Sequence, residues 1–404
     1  MRFYALTVSG GVGYTTLAQI PGLASVNTTI QSLTSIAGQP VPAALAAISG
    51  AGISGAQWCS IVDAENDPGA LDIELDLQIA PGSQLLSGYV KIYGVQQNLV
   101  SQSSYFTGCQ VSIYGGFTEG LPLANMQVAH QGLLCNALIF PGVSEWTGTE
   151  LSLTFFLKPN MGNSGGPTKP VNIIHNMPKG TPLGQAIQQA LSTAFPGIGI
   201  NLNISPNITL NYDDKGFYQS LEQYMDYAKT LSHSVLGTPY TSGYQGVQAD
   251  SSKGNFNIFD GTAPSSLIQI QFQDLIGQPC WIGPNKIQFK VALRSDISPN
   301  NQITLPNNIL TTASQSGGLT FMPGLVFNTY QHGNVLTFQG QFTVVSVRHM
   351  GRFRNANAEQ NWITVIEAVT PGSDSEGNII PVPNVSGEQT FTPSGGASGG
   401  IGHN

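Results

Sequence analysis

Six acidic side chains fall in one short stretch, Asp63, Glu65, Asp67, Asp72, Glu74 and Asp76. Two chemistries suit that spacing. Asp63-x-Glu-x-Asp with Glu74 sets carboxylates at the first, third, fifth and twelfth positions of a calcium loop, where a hard cation needs oxygen ligands. Pro68 stands where that loop's sharp turn requires glycine, and the segment after it reads as a strand, not a helix, so the pattern speaks against calcium. The other reading is geometric. Asp72, Glu74 and Asp76 recur at period two, which puts them on one face of a strand whose other face carries Leu71, Ile73, Leu75, Leu77 and Ile79. If the strand lines a ring, symmetry multiplies it into an acidic bore that repels nucleic acid. The same pattern also describes an ordinary solvated strand face.

Arg348, Arg352 and Arg354 form the second cluster, in a chain whose other arginines are Arg2 and Arg294. Arginine favours two-point contacts with carboxylates, so the cluster suits pairing with acidic loops of a neighbouring subunit. It equally suits a solvated hairpin tip. No basic or aromatic stripe extends it into a nucleic-acid surface. His130, His175, His233, His332, His349 and His403 show no HxH or HxxxH spacing and read as structural or exposed. Asp213 and Asp214 are adjacent, and neighbours on a turn rarely converge on one substrate. Gly10-Gly-Val-Gly13 lacks the Lys-Ser/Thr that would make it a phosphate cradle. There is no nucleophilic cysteine context or P-loop. The expectation is a chain that is not an enzyme, with no catalytic, cofactor-binding or metal-ligating residue and no cofactor.

Composition points the same way. The chain has 404 residues, a net charge of −8, and only 9% charged residues, against about 25% in an ordinary domain. Interface cores are poor in Lys and Glu, so this surface reads as one covered by partners; a polar, uncharged surface of a secreted protein would look similar. Acidity makes phosphate binding a poor fit. Cys59, Cys109, Cys135 and Cys280 form no CxxC, and Cys109 and Cys135 lie in apolar runs as buried thiols. No apolar run reaches the ~18 residues of a membrane helix. Arg2 with Gly, Thr and Ser after it makes a poor signal peptide, which predicts assembly in a cytoplasm.

These residues sit on a β-rich α+β chain: two antiparallel β-barrel domains with an inserted small α/β domain. Residues 1–57 read as a low-charge arm, with a short helix over 40–48. Residues 58–158 carry strands over 71–79, 89–94, 109–115, 132–140 and 151–157, separated by Gly-rich turns. Residues 159–170 are a linker. In 171–262, Thr181 and Pro182 form an N-cap and first-turn pair for a helix ending at Pro196-Gly197. Strands over 198–204 and 208–212 and a second helix over 217–230 complete that domain. Residues 263–370 return to strands over 267–272, 286–293 and 302–305 and to a closing hairpin, 342–350 with 361–369. Residues 371–404 are a flexible tail or docking arm. Trp146 and Trp362 each precede a last strand, which suggests an internal repeat.

In order, four stretches resemble the baseplate hub proteins of contractile-tailed bacteriophages. They are Asn98-Leu-Val with Val111-Ser-Ile-Tyr-Gly-Gly116; Pro178-Lys-Gly-Thr-Pro-Leu-Gly-Gln-Ala-Ile187 running to Phe195-Pro-Gly197; Gln273-Asp-Leu-Ile-Gly-Gln-Pro-Cys-Trp281 with residues 287–294 and 303–306; and Gly340-Gln-Phe-Thr-Val-Val-Ser-Val-Arg-His349 closing at Trp362-Ile-Thr364. They span most of residues 90–370. The resemblance implies two tube-like barrels per chain and a homotrimer of pseudo-six-fold symmetry in the virion. That ring would join the tail tube protein to the central spike protein, contact other baseplate proteins and the tape measure protein, and let DNA pass without specific binding. The rival expectations are a cell-wall or glycan hydrolase, which needs convergent carboxylates or a nucleophile in a cleft, and a receptor-binding fibre or adhesin, which needs a long β-repeat.

Overall fold

The computed structural model of the chain describes residues 2–9, 35–36, 39–40, 57–62, 65–81, 85–101, 103–117, 131–160, 171–204, 206, 208–236, 246–261, 265–283, 286–306, 341–357 and 361–369. The helix expected over 40–48, most of the linker and the tail 371–404 lie outside the described residues.

Period-two patterning builds the first β region. In β3 (Ile73–Ala80), Ile73, Leu75, Leu77 and Ile79 are all buried while Glu74, Asp76 and Gln78 turn the other way. Burying each of those four side chains is worth about 1.5–3 kcal/mol, which fixes the register, because a slip by one residue would bury the carboxylates. With β3 run β1 (Arg2–Ser9), β2 (Gln57–Cys59), β4 (Leu85–Tyr93), β5 (Gln110–Phe117), β6 (Gln131–Thr147) and β7 (Glu150–Pro159). Strand β1 corrects an expectation. Residues 2–9 are not part of an arm but pair with both β5 and β2, with Phe3, Tyr4, Ala5 and Leu6 fully buried. The alternation that marks a half-buried strand is missing there, because consecutive side chains on both faces are covered.

The second β region supplies β13 (Leu267–Gln269), β14 (Cys280–Trp281), β15 (Lys286–Ala292), β16 (Gln302–Thr304), β17 (Gln341–Arg352) and β18 (Ile363–Val369). The two regions do not stay apart. They merge into one 13-stranded sheet with the path β14-β15-β18-β17-β3-β4-β7-β6-β5-β1-β2; β16 pairs with β17 and, in parallel, with β13. The seam is β17 against β3, antiparallel from Val347↔Ile79 to Arg352↔Glu74. A single hydrophobic core draws on both regions, from Tyr4 and Phe155 to Phe289 and Ile366. Trp362 ties them further: it is fully buried at φ 63° and its Nε1–H donates to Gly116 O at 2.7 Å. Trp146, read as its counterpart, is 67% exposed near the β6–β7 turn, so the two tryptophans do different work.

Between the two β regions in sequence lies a small α/β unit with its own core. It contains β8 (Ile173–Met177), α1 (Leu183–Ala194), β9 (Ile200–Asn203), β10 (Asp214–Tyr218), α2 (Leu221–Leu236), β11 (Gln248–Asp250) and β12 (Phe256–Phe259). Strands β8 and β10 form an antiparallel ribbon, and β9, β12 and β11 form a three-stranded sheet. Two expectations shift here. Helix α1 has Pro182 as its extended N-cap, bridged to Thr209, and no side-chain cap bond forms because proline carries no polar side-chain atom. Residues 208–212, expected as a strand, contribute only that bridge, and residues 214–218 form the strand that precedes α2. The unit is held to the sheet by its 251–254 turn: Asn136 N–H donates to Ser252 O at 2.6 Å, and Lys253 Nζ donates to Ser295 O at 2.8 Å.

Candidate functional site

Three of the acids singled out in the sequence, Asp72, Glu74 and Asp76, converge with the three arginines on one place, the non-core face of the sheet at the β17–β3 seam. Arg348 grips Asp76 through two points, with Nε to Oδ1 at 2.7 Å. Arg352 Nε lies 2.6 Å from Asp72 Oδ2, and its guanidinium stacks 4.2 Å from the Tyr93 ring centroid. Backbone N–H of Arg354 donates to Asp72 Oδ1 at 2.9 Å, while its guanidinium reaches the carbonyls of Pro68 and Ala70. Glu74 accepts from two phenols, Tyr89 Oη at 2.7 Å and Tyr93 Oη at 2.8 Å. Lys91 reaches Glu145 at 2.8 Å, and on the far side of the seam Lys286 reaches Glu367 at 2.6 Å.

The electrostatics arise from these contacts. Donating to Asp76 raises the Arg348 pKa and donating to Asp72 raises that of Arg352, so both stay charged. Tyr89 is pushed up to about 12, by burial first and then by its bond to Glu74; Tyr93 is raised by the same causes. The hydrogen bond that Lys91 donates holds Glu145 below the usual carboxylate range. Burial would raise Glu367, but bonds donated by Lys286 and Ser346 bring it below that range. Asp72, Asp76, Glu145 and Glu367 thus each have a cation beside them, and Glu74 has two donors.

This arrangement corrects one expectation. The period-two acids do form one strand face, but that face is charge-balanced, not acidic, because β17 lays its arginines across β3. Arg348, Arg352 and Arg354, weighed as pairing with a neighbouring subunit or as a solvated hairpin tip, contact carboxylates and carbonyls of their own chain. A strip of this kind can hold the seam together and present a polar, near-neutral surface; it places no nucleophile beside a base.

Elsewhere the candidate residues separate. Asp213 Oδ1 accepts from Lys179 N–H at 2.8 Å while Asp214 turns inward to His175, so the two carboxylates diverge. Ile61–Val62 pairs with Glu65–Asn66, and Asp67 Oδ1 accepts from Gly69 N–H at 2.7 Å. Among the described residues no three His, Cys, Asp or Glu side chains gather as metal ligands. Asp63, Gly10–Gly13, His130, His332 and His403 lie outside the described residues. Cys109 and Cys135 are buried, and burial pushes both thiols up, Cys109 to about 11. His175 and His349 are buried. The aromatic half of the strip went unmarked in the sequence; its signal was the alternation Tyr89-Val-Lys-Ile-Tyr93, whose outward residues carry hydroxyls and an ammonium. Arg294 also went unmarked: it is buried between Asp274 and Asp296 at 3.3 and 2.7 Å.

No family model and no curated protein matches the chain. Among solved structures, it is similar in shape to the E. coli c3393 protein, a component of the type VI secretion system described as structurally similar to T4 bacteriophage tail proteins. The identity is 10%, with 78% of this chain and 76% of that chain covered, and the TM-score is 0.39. It is similar to the 43 kDa tail protein of prophage MuSo2 from Shewanella oneidensis, at 9% identity, 74% and 98% covered, and a TM-score of 0.41. It is also similar to a tail protein from Neisseria meningitidis MC58, at 8% identity, 74% and 92% covered, and a TM-score of 0.42.

Proposed function

We propose that this chain is a structural subunit of a phage-tail-type particle: a hub that assembles as a homotrimeric ring between tail tube and central spike, with no catalysis of its own. The observation that carries the assembly is the surface. Large apolar side chains stand exposed on both units, among them Trp146 and Phe272 at 67%, Ile174 at 64% and Phe217 at 58%, on a chain with 9% charged residues. Ile174 and Phe217 are register partners across β8 and β10; adjoining apolar exposure of that kind marks contact surfaces, and low charge marks surfaces that are covered. The ordered sequence resemblance supplies the trimer, the tube and spike partners, the baseplate of a contractile tail and the DNA-conducting lumen. In this reading the seam strip faces the lumen. Its paired charges leave no phosphate-holding cation row, so DNA would slide past it.

Native mass spectrometry and electron microscopy of the purified chain test the proposal. A trimer with a central opening is expected. A strict monomer at high concentration that degrades cell-wall glycan overturns it.

A further inference from the structure

Three elements of the α/β unit meet at one imidazole. His175 points inward from β8 and is buried. Its Nδ1 lies 3.0 Å from Tyr224 Oη on α2. Its Nε2 lies 3.2 Å from Asp214 Oδ2 on β10, without the alignment of a hydrogen bond. Tyr227, also on α2, donates its hydroxyl to that same carboxylate oxygen. The rings of Tyr224 and Tyr227 each pack with centroids 5.7 Å from the imidazole, and Tyr218 of β10 lies against both tyrosines. The titratable groups facing His175 are therefore Asp214 and Tyr218 from β10, and Tyr224 and Tyr227 from α2. Helix α1, which also packs on β8, has no titratable side chain.

The neighbours decide the tautomer. An ionised carboxylate only accepts, so the neutral ring carries its hydrogen on Nε2, toward Asp214. Nδ1 is then the acceptor, and Tyr224 donates to it. A second proton would turn Nδ1 into a donor. The Tyr224 hydroxyl hydrogen would lose its acceptor in a place where Tyr224 is fully buried, and such a stranded donor is destabilising.

We propose that His175 is an acid-sensitive latch pinning α2 to the β8–β10 ribbon, and that its protonation loosens α2 while the large sheet stays in place. Burial lowers the proton affinity of His175, with Asp214 opposing in part. The folded unit thus binds this proton less tightly than the unfolded chain does. The latch is closed above the ordinary imidazole value of about 6.5 and gives way as pH falls below it.

Hydrogen–deuterium exchange of the full chain at pH 7.5 and 5.0, corrected for the intrinsic exchange rate, tests this. Opening of residues 221–236 is expected to rise at the lower pH, by up to ~30-fold from the ordinary imidazole value, and to do so still in His349→Gln, where β3 and β4 are relieved of the sheet's own acid response and change little. His175→Gln should abolish the difference. Equal protection of 221–236 at both pH values in the wild type, or an equal loss in H175Q, overturns the latch. Should H175Q not fold, NMR titration of the wild-type imidazole decides: a midpoint below the ordinary value that moves together with the Tyr224 ring signals supports the latch, and a midpoint at or above it overturns it.

Discussion

Arg348 and Asp76 lie 272 positions apart in the chain, yet the guanidinium of one holds the carboxylate of the other at two points across the β17–β3 seam. This pair is where the two β regions become one sheet, and it lies beside Arg352–Asp72 and the Tyr89–Glu74–Tyr93 bridge.

The pair is half-exposed, with side chains 47% and 25% accessible, so its worth is screened. A double-mutant cycle of Arg348→Ala and Asp76→Ala should give a coupling of about 0.5–1 kcal/mol at low ionic strength. Urea unfolding repeated in ~1 M salt should show most of that coupling gone.

Trp362 should matter far more. It is buried at the junction of both regions and donates to Gly116 O. Trp362→Ala should cost about 3–5 kcal/mol. Trp362→Phe keeps much of the volume but leaves that carbonyl without its donor, and should cost about 1–3 kcal/mol. Denaturant midpoints compare the two.

Gly351, opposite Leu75 on the seam, has φ 153° and no room: a Cβ there would lie 2.0 Å from the Trp362 backbone nitrogen. Gly351→Ala should destabilise by more than Arg348→Ala does. Because the obstruction is backbone, repacking of side chains will not relieve it. Thermal melts of the two variants side by side check the order.

His349 predicts an acid limb for the sheet. It is wholly buried, with Nδ1 2.9 Å from Thr364 Oγ1. Burial first, and then the charge of Lys253, bring it down to about 3. The unfolded chain takes up a proton near its ordinary value that the folded chain refuses. Stability should therefore be full above pH ~6.5 and decline as pH falls toward about 3. Urea midpoints between pH 7 and 5, where carboxylates titrate little, should drop in the wild type and flatten in His349→Gln.

Trp146 separates folding from assembly. Being 67% exposed, with its Nε1–H satisfied by Gly148 O at 2.8 Å, it should tolerate Trp146→Ala within about 0.5 kcal/mol in monomer stability. In the proposed ring the same change should weaken association, read by sedimentation velocity over a concentration series.

Local elements are already written in the order of residues. Ile73 to Ile79 and Leu183 to Leu191 carry periods of two and about 3.6, and burial against any partner layer is enough to make them a strand and a helix. That Asp72, Glu74 and Asp76 share a face is equally local, since it depends only on the pleat. What those carboxylates meet is a matter of long-range pairing. Strands far apart in the chain leave no local trace of each other, so nothing in residues 72–76 announces Arg348 or Arg352, and an acidic face became a balanced one. The same holds for residues 2–9: a strand covered on both faces has no alternation to read, and only its place between β5 and β2 shows that it belongs to the core. His175 and Asp214 are likewise distant in the chain, and the contact that makes them one site exists only because β8 pairs with β10.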